Sequence, residues 1–177
     1  TGGQDHRWLG NGYFQAEGAE LIAHAAAVPD MRSRGGDQLA ALRTLLDDAH
    51  RRFGAVWHIN CHSMRAVAGK QSDDGEGRAR ADIVLGDRDG TTCDPGFTEF
   101  VRATLAGMGY DVRVNDPYKG VELVRAYSNP RSQRHSLQVE LNKRLYMDEA
   151  TLEKSAGFGE LQRNLHAFLE ALGAWVR

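Results

Sequence analysis

The chain has 177 residues, long enough for one domain with its own core, and its 41% hydrophobic and 26% charged residues are an ordinary globular mixture. A net charge of −2, from 22 basic and 24 acidic side chains, gives no basic surplus for nucleic acid or an anionic membrane. No apolar run approaches the ~20 residues of a membrane span, and Cys61 and Cys93 make neither a disulfide framework nor a zinc-finger spacing, so a reducing cytoplasm is the expected compartment.

The chain opens on Thr1-Gly2-Gly3, without an initiator Met or a signal-peptide pattern, which reads as a fragment or a processed start. Residues 1–14 are Gly-rich and read as loop; the alanine-rich stretch 16–27 reads as helix, ended by Pro29. Gly35-Gly36 is a break, and Asp37 caps a helix over 37–52 with Leu39, Leu42, Leu45, Leu46 and Ala49 at helical spacing. Gly54 closes it. A buried strand over 55–60 then ends in the polar tip Cys61-His62-Ser63. Residues 66–81 lack apolar periodicity and read as a long flexible loop beside that tip.

A short strand over 82–86 follows, then a polar loop over 87–93 and a helix capped by Asp94, with Pro95 at its first position. Phe97, Phe100, Val101, Leu105 and Met108 give that helix its apolar face, and Gly109 stops it. Residues 110–114 form a third strand and 115–120 a turn; 121–127 fits a strand or a short helix. After a turn at Asn129-Pro130, residues 135–141 alternate, with Leu137, Val139 and Leu141 on one face and Ser136, Gln138 and Glu140 on the other. A last helix over 149–175 carries a possible break near Gly157 and Gly159. Helices alternating with strands predict a single α/β layered domain over 1–177.

Two residues stand out chemically. His62 sits at the carboxyl end of a strand, where α/β sheets place ligands, and an imidazole there either binds a metal, moves a proton or simply caps the strand. Glu140 lies mid-strand between apolar Val139 and Leu141; a buried carboxylate is costly unless paired or used, and burial raises its pKa toward the working range of a general base. Arg134 and Arg144 are its sequence-near alternatives as simple ion-pair partners. His58, two residues before His62, reads as a packing or supporting residue. Cys61 is adjacent to His62 and so points to the opposite face, which leaves a thiol nucleophile as the weakest reading. Lys119, Arg125, Arg131 and Arg134 form a basic segment suited to carboxylates. Asp82, Asp87 and Asp89 fit either a cation site or ordinary turn chemistry.

Four ordered segments together resemble the N-formylglutamate amidohydrolase family. They are His58-Ile59-Asn60-Cys61-His62-Ser63-Met64, the run from Ala81 to Cys93, Val114-Asn115-Asp116-Pro117-Tyr118-Lys119-Gly120, and the run from His135 through Met147. The resemblance implies a zinc-carboxypeptidase-like three-layer α/β fold, with a mixed, mostly parallel sheet between flanking helices, and hydrolysis of a C–N amide bond, most directly N-formyl-L-glutamate to formate and L-glutamate. It implies a divalent metal, usually zinc, with His62 as one ligand and Glu140 as the acid/base. Lys119 and Arg125, with Asn115 and Ser63, become substrate-binding positions for a small acidic N-acyl amino acid. The family's other two metal ligands belong to an early segment that has no counterpart motif here, so residues 1–52 read as a divergent or incomplete N-terminal part. Asp5, His6, Glu17, Glu20 and His24 are the donors that stretch offers. The alternative reading is a catalytically inactive homologue or scaffold that binds a small acidic ligand.

Overall fold

The computed structural model describes the backbone of residues 13–16, 19–25 and 31–176, with side chains from residue 40 onward. The described strands form one six-stranded sheet in the order β1-β2-β3-β6-β4-β5. The strands are β1 (Tyr13–Ala16), β2 (Ala19–Ala25), β3 (Val56–Met64), β4 (Ile83–Gly86), β5 (Val112–Val114) and β6 (Arg134–Asn142). Strands β2, β3 and β6 run parallel, β4 is antiparallel to β6 and parallel to β5, and β1 is antiparallel to β2. The expected mixed, mostly parallel sheet is therefore present.

Alternation along the two central strands decides which helices cover which face. Ile59 of β3, Leu137 and Val139 of β6, and Ile83 and Leu85 of β4 share one core with helices α2 (Pro95–Gly107) and α4 (Phe158–Trp175). Phe97, Val101 and Leu105 of α2 are fully buried there. Burying each such side chain stabilises the fold by about 1.5–3 kcal/mol. Asp94 caps α2 by accepting from the Gly96 amide at 2.7 Å. On the opposite face, Leu42, Leu46 and Ala49 of α1 (Met31–Phe53) pack on Val56, joined by Leu123 and Tyr127, which flank and lie on α3 (Glu122–Ala126). The result is three layers, helices–sheet–helices.

Several expectations change. The stretch expected as helix over 16–27 holds strand β2 at 19–25, paired in parallel with β3 from Glu20↔Val56 to Ala25↔Cys61. Alanine favours a helix only weakly, and pairing with the central strand overrides that preference. Residues 13–16, read as loop and helix start, are β1, paired to β2. Helix α1 begins at Met31 and runs through Gly35-Gly36 without a break. Strand β3 continues past residue 60 to Met64, so Cys61, His62 and Ser63 belong to the strand itself, paired with β6. The ambiguous 121–127 segment forms α3, and the last helix begins only at Phe158, after turns. Residues 66–81 are not an unstructured loop. Val67 bridges Ala79, and backbone hydrogen bonds from Ala68 to Arg78 and from Arg80 to Ala66 fold the segment onto itself.

Candidate active site

The face of the sheet that carries α1 changes character along the strands. Beyond Val56 its β3 positions are His58, Asn60 and His62, and their β6 partners in register are Ser136, Gln138 and Glu140. All but His62 are buried. This is a file of polar side chains on the central strands, where aliphatic residues would ordinarily pack. His58 Nδ1 lies 2.8 Å from Ser136 Oγ. Asn60 is fully buried, and neither of its amide atoms has a hydrogen-bond partner among the described residues. The Cα partner of Asn60 on the other side is His24 of β2.

His62 and Glu140 face each other directly at the carboxyl ends of β3 and β6. His62 Nδ1 stands 4.0 Å from Glu140 Oε1, with the imidazole 25% exposed and the carboxyl 8%. Glu140 Oε1 also accepts from Gln138 Nε2 at 2.7 Å. Burial pushes the Glu140 carboxyl up to about 7, against the opposing pull of the Gln138 hydrogen bond and the Arg80 charge. A carboxyl with that value is part ionised at neutral pH and can both take and return a proton. The two arginines near it in sequence are engaged elsewhere: Arg134 with Asp47 at 2.8 Å and Arg144 with Asp82 at 2.7 Å.

Two segments frame this pair. In the first, Arg80 and Asp74 form a buried ion pair, each side chain only 4% exposed, with two contacts of 2.9 Å. The Arg80 hydrogen bond holds the Asp74 carboxyl below the usual range. Arg80 also donates to Ser72 Oγ at 3.1 Å, and Asn142 Nδ2 donates to the Ala81 carbonyl at 2.9 Å, which docks the segment on the end of β6. The second frame is the turn 115–121. Gln138, besides holding Glu140, accepts from the Val121 amide at 2.8 Å. Asn115 takes a left-handed backbone, φ 58°, and fixes Asp87 by accepting from its amide and donating to its carboxylate. Gly120 passes so close to Gly86 that a Cβ on Gly86 would stand 2.5 Å from the Gly120 nitrogen.

The other sequence candidates separate. Ser63 follows His62 on β3 and so points to the opposite face, and it is exposed. Asn115 is occupied with Asp87. Lys119 pairs with Asp89 at 2.9 Å and Arg125 with Glu122 at 2.8 Å, both on the surface. Arg125 lines a cleft of about 600 Å³ with Thr91, Thr92, Ser128 and Asn129. That cleft belongs to the start of β6, because the Ser136 amide donates to Thr92 and the Asn129 amide to Arg134. Ser136 is four residues from Glu140, ~13 Å along a strand. The cation cluster offered by Asp82, Asp87 and Asp89 does not form. Asp82 pairs with Arg144, Asp89 pairs with Lys119, and Asp87 is buried under hydrogen bonds from Gly90, Thr98 and Asn115. Cys61 joins the α2–α4 core, and burial pushes its thiol up to about 12, so it carries no thiolate to act as nucleophile.

Among the described residues no three His, Cys, Asp or Glu side chains converge as metal ligands. A catalytic zinc takes three protein ligands. His62 fits as one of them, and the described side chains do not complete the set. Asp5, His6 and Glu17 lie outside the described residues, and Glu20 and His24 are placed in β2 by backbone alone. Sequence reasoning passed over Gln138 and Arg80. The first had a signal, its two-residue spacing from Glu140; the second, one arginine in a polar segment, had none.

A model of the N-formylglutamate amidohydrolase family matches residues 39–147. A curated N-formylglutamate deformylase of Pseudomonas aeruginosa is 33% identical over 141 residues, which cover 76% of this chain and 52% of that protein. A second, from Pseudomonas putida, is 32% identical over 109 residues, covering 61% and 39%. The crystal structure of N-formylglutamate amidohydrolase from Ralstonia eutropha JMP134 superposes with a TM-score of 0.74 at 46% identity, covering 78% of this chain and 51% of that one. The chain thus spans about half the length of the relatives it matches.

Proposed function

The chain belongs to the N-formylglutamate amidohydrolase family, and on that premise we propose that its His62–Glu140 site hydrolyses the amide of an N-acyl amino acid, N-formyl-L-glutamate in the first instance. The observation that carries this reading is the buried carboxyl of Glu140, pushed up to about 7 and facing an imidazole at 4.0 Å. In the reaction, water adds to the formyl carbon, the C–N bond breaks, and formate and L-glutamate leave. Gln138 holds Oε1 of Glu140, which leaves Oε2 as the atom that takes the proton from water. The same carboxyl returns that proton to the leaving nitrogen, so the residue ends as it began.

We assign His62 as one ligand of a divalent metal, zinc by preference, with its remaining ligands supplied from outside the described side chains. Such an ion, when bound, would acidify the attacking water and polarise the formyl oxygen. Lys119 is the cation assigned to a carboxylate of the substrate; it would exchange its surface partner Asp89 for the ligand, and an exposed pair of this kind is worth only about 0–1 kcal/mol. Arg125, in the cleft at the start of β6, stands apart from the His62–Glu140 pair and is not assigned to the substrate. Metal analysis of the purified chain tests the assignment: about one zinc per chain, lost in His62→Ala, is expected. Zinc that stays bound in His62→Ala would remove His62 from the site.

A further inference from the structure

The turn 115–121 brings one more side chain to this site. Tyr118 packs against the small apolar cluster of Met64, Ala81 and Val84. Two members of that cluster fix where it lies. Val84 is the register partner of Glu140, and Met64 is two residues beyond His62 on the same strand. Tyr118 therefore lies over the sheet on the face of the His62–Glu140 pair.

The ring is held from both sides. The Arg80 guanidinium stands 5.1 Å from its centroid, and that arginine is itself locked by Asp74. A cation over an aromatic face adds an attraction that fixes the ring. The backbone around Tyr118 is pinned at both ends. The Asn115 amide donates to Leu85 at 2.7 Å, the Arg88 amide to Lys119 at 2.7 Å, and the Val121 amide to Gln138 at 2.8 Å. The Tyr118 hydroxyl enters no hydrogen bond with the described residues. Tyr118 is half-buried.

We propose that Tyr118 contacts the substrate of this site, its phenol donating a hydrogen bond to an oxygen of the bound N-acyl amino acid. A phenol remains protonated at neutral pH and so is a donor there. It suits a ligand whose polar atoms are carbonyl and carboxylate oxygens, all of them acceptors. This inference rests on the hydrolytic reading of the His62–Glu140 pair, and it is tested separately from it.

The test is Tyr118→Phe, which keeps the packing against Met64, Ala81 and Val84 and the ring under Arg80, and removes only the hydroxyl. Binding of N-formyl-L-glutamate is measured by calorimetry in the Glu140→Gln background with zinc supplied, and formate release in the otherwise unaltered chain. The expected result is binding weakened about ten-fold by loss of one hydrogen bond to a charged or strongly polar oxygen, with an unchanged thermal midpoint. Substrate binding that depends on Tyr118 without any formate release would refute hydrolysis and uphold the contact. Formate release and binding both indifferent to Tyr118→Phe would refute the contact and uphold hydrolysis. A chain that neither binds nor hydrolyses N-formyl-L-glutamate would refute both.

Discussion

Glu140→Gln isolates the energetic cost of keeping a carboxyl where this fold keeps it. The replacement preserves size, and the new amide oxygen still accepts from Gln138. Glu140 titrates near 4.5 when unfolded and at about 7 in the folded chain, where burial disfavours its charge. Below the lower value both states hold the proton. Between the two, the unfolded chain releases it and the folded chain does not, so stability falls by about 1.4 kcal/mol per pH unit. Above about pH 7 the loss levels off at roughly 3 kcal/mol. The variant has no such titration. Urea unfolding of the metal-free proteins from pH 4.5 to 8 should show wild type losing about 3 kcal/mol relative to Glu140→Gln, almost all of it below neutrality. Parallel stability curves for the two proteins would mean that Glu140 is not buried as described, and its assignment as a proton carrier poised at neutral pH would fall with it.

The supports of the site make further predictions. Arg80→Met leaves Asp74 charged and buried without its partner, so urea unfolding should show a loss of about 3–5 kcal/mol; a loss below 1 kcal/mol would mean the pair is open to water. Gly86→Ala drives a Cβ into the Gly120 backbone, and a drop of at least about 1–3 kcal/mol in unfolding free energy is expected. Cys61→Ala should leave formate release unchanged, because a thiol pushed up to about 12 is no nucleophile; loss of turnover with the fold intact would revive the cysteine reading.

Much of this was legible because β-strand chemistry repeats every two residues. In β6, Leu137, Val139 and Leu141 separate cleanly from Ser136, Gln138 and Glu140, and the structure puts the first set in the α2–α4 core and the second on the polar face. The facing of His62 and Glu140 was not legible as a distance. It depends on the parallel register of β3 with β6, set between residues some eighty positions apart, which local pattern does not encode. The alanine-rich β2 misled for the complementary reason: its strand state comes from a partner, and its composition speaks for a helix. The segment 66–81 looked featureless because its order comes from one buried ion pair, Arg80–Asp74, and a single charged pair has no periodicity to read. Lys119 and Arg125 were legible as cations but not as cations already paired, since Asp89 and Glu122 become their neighbours only through the turn and α3.

Formate release from N-formyl-L-glutamate, measured on this chain with zinc supplied, tests the proposed chemistry most directly. Turnover by wild type that falls at least about a hundred-fold in Glu140→Gln, with zinc still bound, is the predicted result. Turnover that survives Glu140→Gln would place the proton transfer on another group, and no turnover by the zinc-loaded wild type would show that this chain does not hydrolyse that amide.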